Sequence, residues 1–231
     1  MSRPLSRFCS LLLLCIAATY SVHAEDSDTV WTVKVPRASF SDVDYSPDGR
    51  YIVACSGYYV PVVLLDARDG STVRIFQVPG ETPKLSLEAI KVAFSADGST
   101  IAASIDKDSE HFIQFWNVET GEPTWSLSAP EQIGVMAFSP DGRFFAAGDG
   151  IENLWFYQVE QDTLRLLWQD TEPGGMYRGM WFSQDGEHML YTKNGVMKLR
   201  RTQDSVVLQR WYTGGGCQAT PDLQYFTAAV A

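Results

Sequence analysis

Few residues in this 231-residue chain are of the types that carry covalent or metal chemistry, and their spacing decides what they could do. The histidines are His23, His111 and His188. A zinc centre or a serine–histidine–acid relay needs imidazoles that converge on thiolates, carboxylates or a hydroxyl. His23 lies in an N-terminal apolar segment, and the other two are placed to fall on opposite ends of the fold argued below. Asp42 and Asp44 form one carboxylate pair, and Asp106-Lys107-Asp108-Ser109-Glu110 alternates acids. A hard cation wants six or more oxygens from several directions, and the second run lacks the glycine and closing glutamate of a calcium loop. Asp42 and Asp44 are therefore expected to be solvated or paired with Lys91 or Arg178. Neither a phosphate-binding loop nor a nucleophile elbow occurs, and Gly214-Gly215-Gly216 reads as a flexible connection. Cys55 and Cys217, the cysteines beyond the N-terminal segment, either form a disulfide or sit as separate buried thiols. The expectation is of no catalytic residue, no metal and no cofactor.

The elements that position these residues announce themselves by repetition. The phrase FSPDGRFFAAGDG, Phe138 to Gly150, returns as YSPDGRYIVACSG from Tyr45, FSADGSTIAASID from Phe94 and FSQDGEHMLYTKN from Phe182. A worn copy, ATPDLQYFTAAVA, starts at Ala219. The turn residues Gly49, Gly98, Gly142 and Gly186, with Leu223 in the fifth place, are 49, 44, 44 and 37 residues apart. Proline sets φ for a type I turn, Ser or Asp caps the backbone and glycine takes the left-handed position. The phrase is thus hairpin punctuation between two antiparallel strands. Two more apolar stretches follow each hairpin, as in AIKVAF, TIAASI, FIQFWNV and PTWSL of the second unit.

A period near 40–45 residues with four short strands per unit predicts an all-β fold, a β-propeller of four-stranded antiparallel blades. The blades span about 37–78, 87–128, 132–169 and 177–212, with a partial fifth at 214–231, so the ring is expected to be incomplete. An open ring edge would favour self-association. Trp116, Trp125, Trp155, Trp168, Trp181 and Trp211 lie on or beside strands and are expected to pack between blades. Pro61, inside the third strand of unit one, predicts an irregularity there.

Residues 1–24 read as a secretory signal peptide: Arg3 and Arg7, an apolar run from Phe8 to Ala18, and Val22-His23-Ala24 before the cleavage point. The run is too short to span a bilayer, and Leu14 before Cys15 does not suit lipoprotein processing. Secreted or periplasmic localisation follows, without stable membrane insertion of the mature chain. Its 28 acidic against 16 basic residues give a formal charge of −12, which argues against nucleic acid and anionic membrane as partners.

The segment VAFSADGSTIAASIDKDSEHFIQFWNVETGEP, Val92 to Pro123, resembles the WD-repeat family, and the resemblance extends over about residues 40–231. The Trp-Asp pair is degenerate, appearing as Leu65-Asp66, Trp116-Asn117, Tyr157-Gln158 and Leu199-Arg200, and the family's Gly-His pair is missing. The SPDG turn is also similar to that of Tol-system and prolyl-oligopeptidase-type propellers.

Propeller loops carry binding, so the expected function is a non-enzymatic scaffold for a protein or peptide partner. The candidate contact residues are Tyr58, Tyr59, Asp106, Asp108, His111, Glu172, Tyr177 and Arg178, on the end where second-to-third-strand and inter-blade loops gather. The alternatives are a secreted propeller enzyme, quinoprotein-, amine-dehydrogenase- or lactonase-like, and the N-terminal part of a longer enzyme.

Overall fold

The computed structural model describes residues 40–56, 62–79, 87–107, 109–161, 163–213, 217–220, 223 and 226–228, all within the compact unit Trp31–Ala231. Each repeated phrase builds its hairpin with the same bonds. In the first, Gly49 N–H donates to Ser46 O at 2.8 Å and Ser46 N–H to Tyr51 O at 2.9 Å. The Ser46 hydroxyl donates to Asp48 Oδ1 at 2.7 Å and accepts the Tyr51 N–H at 2.9 Å. Asp48 Oδ1 also takes the Arg50 N–H at 3.0 Å. The set recurs around Asp97, Asp141 and Asp185. Gly49, Gly98, Gly142 and Gly186 close the turns with φ between 67° and 75°, where a Cβ would be strained. Leu223 takes the corresponding place in the fifth copy at φ 54°.

One turn geometry gives one register. Tyr45 faces Ile52, Phe94 faces Ile101, Phe138 faces Phe145, Phe182 faces Met189 and, in the worn copy, Ala219 faces Phe226. The first blade is β1 (Phe40–Tyr45), β2 (Tyr51–Ser56), β3 (Val62–Asp66) and β4 (Thr72–Phe76). The second is β5 (Leu87–Phe94), β6 (Thr100–Lys107), β7 (Glu110–Asn117) and β8 (Pro123–Ala129). The third is β9 (Ile133–Phe138), β10 (Phe144–Asp149), β11 (Asn153–Glu160) and β12 (Thr163–Thr171). The fourth is β13 (Tyr177–Phe182), β14 (His188–Lys193), β15 (Val196–Arg201) and β16 (Val207–Tyr212), followed by the hairpin β17 (Cys217–Ala219) and β18 (Phe226–Ala228). Each four-stranded sheet is antiparallel in chain order, and the first strands β1, β5, β9, β13 and β17 lie side by side in sequence along the inner edge. The all-β propeller architecture expected from the repeat is therefore observed, with no helix among the described residues. Pro61 lies outside them.

Stacked blade faces make the core, because a lone four-stranded sheet cannot bury both of its faces. Blades one and two share a cluster including Val53, Leu64, Phe76, Ile101, Ile105 and Trp116. Blades two and three meet through Phe115, Phe145 and Tyr157, and blades three and four through Phe156, Tyr177, Met189 and Tyr191. Small residues on the second strands, Ala54, Ala103, Ala146 and Ala147, leave room for the rings. Trp116 packs between blades as expected; Trp125 stacks on Phe115 at 3.6 Å and Trp168 on Phe156 at 4.7 Å within their own blades, and the Trp168 indole N–H reaches Thr202 O of blade four at 3.1 Å. Trp181 does not join them. Its ring lies along its own strand over Gly179, where an added Cβ would come within 2.1 Å of it.

The turn carboxylates give stability a pH dependence. The Arg50 backbone N–H and the Ser46 hydroxyl hold Asp48 at about 2. Burial pushes Asp97 and Asp141 up, but their serine and backbone donors outweigh it and hold both low. Asp185 is held low by the Ser183 hydroxyl and the Glu187 N–H. Such groups bind fewer protons folded than unfolded, so their contribution is full above the ordinary value of about 4 and is lost as pH falls through their lowered folded values, about 2 for Asp48. Burial pushes Asp42 and Asp44 the other way, so their contribution declines as pH rises above about 4. Thermal melts should show the melting temperature falling as pH drops below about 4, and asparagine at positions 48, 97, 141 and 185 together should flatten that slope. Parallel profiles for parent and variant would refute the assignment.

Candidate interaction face and the central cavity

At the end of the blades away from the Ser-Asp turns, the loops of blades two, three and four are joined by a string of hydrogen bonds. It starts at Asp106, whose Oδ1 lies 2.8 Å from His111 Nδ1 and whose Oδ2 accepts the Gln132 amide. Gly150 N–H donates to Gln132 O at 2.8 Å. The neighbouring Asp149 is wholly buried. Its Oδ1 takes the N–H groups of Ile151, Glu152 and Asn153 at 3.0, 2.7 and 2.8 Å, and its Oδ2 the Asn153 amide at 2.6 Å. A buried carboxylate is tolerated when donors saturate it in this way. Glu152 O then accepts the Glu172 N–H at 2.9 Å and the Tyr177 hydroxyl at 3.4 Å. Glu172 O accepts Lys193 Nζ, and Gly174 O accepts the Asn194 amide.

Behind Glu172 the seam between blades three and four is ionic. Lys193, Lys198 and Arg200 are 2%, 6% and 5% exposed. Lys198 Nζ pairs with Glu172 Oε1 and Arg200 with Asp170 Oδ2. Lys193 Nζ stands 4.3 Å from the Tyr177 ring centre, and the Arg200 guanidinium 5.0 Å from that of Trp168. Burial lowers Lys193, against the pull of Glu172. The register shows where this seam comes from. Arg200 faces Met189 as Trp116 faces Ile101 and Leu65 faces Ile52. The Trp-Asp position of the fourth repeat is therefore Arg200-Arg201, one residue on from the Leu199-Arg200 expected from the sequence. The available signal was Lys198 and Arg200 alternating where the other third strands are mostly apolar.

The inner strands line a half-open cavity of about 470 Å³ along β1, β5, β9, β13 and β17, with Asp42, Asp44, Met136, Met180 and Trp181 among its walls. Asp42 Oδ2 accepts the Val92 N–H at 3.2 Å, and Asp44 Oδ2 the Phe94 N–H at 2.8 Å. Lys91 Nζ lies 3.6 Å from Asp42 Oδ1. These carboxylates clasp the inner edge of blade two to blade one, and Lys91 is the expected partner. Among the described residues no three His, Cys, Asp or Glu groups gather as a metal site. His188 starts β14 beside a Ser-Asp turn and His111 lies at the opposite end, so they do not meet. Cys55 is buried, which pushes its thiol up, and the side chain of Cys217 lies outside the described ones.

Tyr58, Tyr59 and Asp108 also lie outside the described residues. Asp106 and His111 are brought together, though not in a loop: Asp106 pairs His111 and Lys107 pairs Glu110 as a continuation of the β6–β7 ladder. Glu172 turns into the ionic seam. Tyr177, expected as an exposed loop residue, opens β13 and is 1% exposed, because its ring packs where glycine at 148 leaves space, 2.8 Å from a would-be Cβ. Arg178, next to it, is exposed.

The family model for the WD domain, G-beta repeat, matches residues 16–62. Over that stretch the chain is similar to a single WD repeat. The match begins inside the segment read as a leader and ends at the start of β3. No curated protein matches the chain. The three further blades share the turn, register and strand order of the first, with Trp116-Asn117, Tyr157-Gln158 and Arg200-Arg201 in the place of Leu65-Asp66. No helix among the described residues is long and apolar enough to cross a membrane.

Proposed function

We propose that the chain is a non-enzymatic scaffold that binds a protein partner through the loop end of its blades. The observation that carries this reading is the hydrogen-bonded string from Asp106 to Asn194, which sets the loops of three blades in one frame. Loops ordered in advance lose little freedom on association. Ile151 and Met176, 46% and 44% exposed, stand beside the string, and Tyr212 at 88% rises from the outer strand of blade four. Exposed apolar and aromatic groups on a rigid frame are the material of binding hot spots. WD repeats commonly mediate protein contacts, which supports a protein partner in general. The acidic composition disfavours nucleic acid. Export to the periplasm or the exterior belongs to the same proposal and rests on residues 1–24.

Cross-linking from a native extract, followed by reconstitution with the purified partner, tests this. The double variant Ile151→Glu, Met176→Glu should weaken binding at least about tenfold, whereas Leu166→Glu on the outer strand should not. Unchanged affinity in the double variant would retire this face. The enzyme alternative, whether this chain alone or as part of a longer enzyme, draws on the axial cavity and its two carboxylates. Stoichiometric metal together with turnover of a lactone or amine panel would favour it.

A further inference from the structure

On the opposite end, where the Ser-Asp turns lie, two clefts sit one blade apart: about 520 Å³ between blades one and two, and about 570 Å³ between blades two and three. Asp97 lines both. The second cleft has an aromatic and aliphatic floor of Trp125, Phe138 and Leu164, and Trp125 is held flat against Phe115 at 3.6 Å. The first is walled by Tyr51 and the 46% exposed Val73. Asp48 and Asp141 each pair with an arginine two residues on, Arg50 and Arg143. Asp97 has Ser99 there instead. It accepts from the Ser95 hydroxyl and from the Ser99 N–H and hydroxyl, at 2.7–2.9 Å, and no ion pair forms on it among the described residues. Asp97 therefore has no ion-pair partner among the described residues and stands between two partly apolar sockets; Arg50 and Arg74 are in the walls of the first, and no basic residue lines the second.

We propose that this end takes an extended segment of a partner protein with the pattern apolar–x–basic–x–apolar. The basic side chain lies over Asp97 and one apolar side chain enters each cleft. Alternate side chains of an extended chain point the same way about 6.6–7 Å apart, so the first, third and fifth residues of such a segment face one surface. Charge complementarity at Asp97 selects lysine or arginine over glutamate at the centre. This surface is separate from the loop end, so either reading can fail without the other.

The probe is acetyl-Leu-Ser-Arg-Ser-Leu-amide, with the central arginine replaced by glutamate as its counterpart. The readout is the Trp125 indole N–H resonance, assigned with Trp125→Phe. The arginine peptide should shift it along a saturating curve at concentrations up to about 10 mM, and the glutamate peptide should not. Asp97→Asn, which keeps an acceptor oxygen for the turn, should weaken binding about three- to tenfold, and added salt should weaken the parent. Asp185→Asn, the same turn position away from both clefts, should change nothing. The proposal is overturned by no saturable shift, by equal response to both peptides, or by equal effects of the two asparagine variants.

Discussion

Trp116→Ala is expected to lower the unfolding free energy by about 3–5 kcal/mol, the range for deleting a large buried aromatic. Trp116 is wholly buried, and its ring sits 5.7 Å from Phe76 of blade one at a 49° tilt. Its indole N–H donates to Gln77 O at 2.9 Å, also across the blade boundary. Alanine removes the packing and leaves that carbonyl without its indole donor, and the stiff second strands cannot collapse into the gap. Trp116→Phe keeps most of the apolar contact and loses the hydrogen bond, so its cost should be nearer about 1–2 kcal/mol. Urea unfolding followed by circular dichroism gives both numbers. A loss below about 1 kcal/mol for the alanine variant would mean that blades one and two are not held together through this ring.

Glu172→Ala should cost about 2–3 kcal/mol. Removing one member of a buried ion pair typically costs about 3–5 kcal/mol, because the other charge is left in a poor solvent. The side chain of Lys198 is 8% exposed but that of Glu172 is 34% exposed, so water screens part of the effect. The decisive measurement is the double variant Glu172→Leu, Lys198→Met. With both charges gone it should recover most of the loss, since an apolar pair of similar size is often as stable as a buried ionic one. Additive losses in the cycle would show that the two side chains do not act as a pair.

The hairpins were legible because everything that makes them is local. Ser46, Asp48 and Gly49 form their bonds within six residues, so spacing and residue type suffice to place β1 against β2. Strand alternation likewise exposes a buried face. What it does not reveal is which neighbour that face meets. Tyr177 looked like a loop tyrosine because its loop is rich in glycine and acids, yet space above Gly148 draws the ring inward. The acids from Asp106 to Glu110 look like a polar loop in sequence, whereas the pairings of Asp106 with His111 and of Lys107 with Glu110 extend the ladder. Arg200 was misaligned by one residue because a buried arginine gives no hint of standing in a tryptophan column until the register is known. The ionic seam joins Asp170 and Glu172 to Arg200 and Lys198, and contacts at that separation leave no mark on periodicity.

The self-contained Ser-Asp turn has an evolutionary corollary. Since its bonds close within the hairpin it serves, nothing in it must be retuned when the flanking unit changes. A gene can gain or lose whole 44-residue segments by duplication or deletion while every corner still folds. Drift is then free to rewrite the third-strand column, as the series Leu65, Trp116, Tyr157 and Arg200 displays, while the corner itself stays legible in every complete copy.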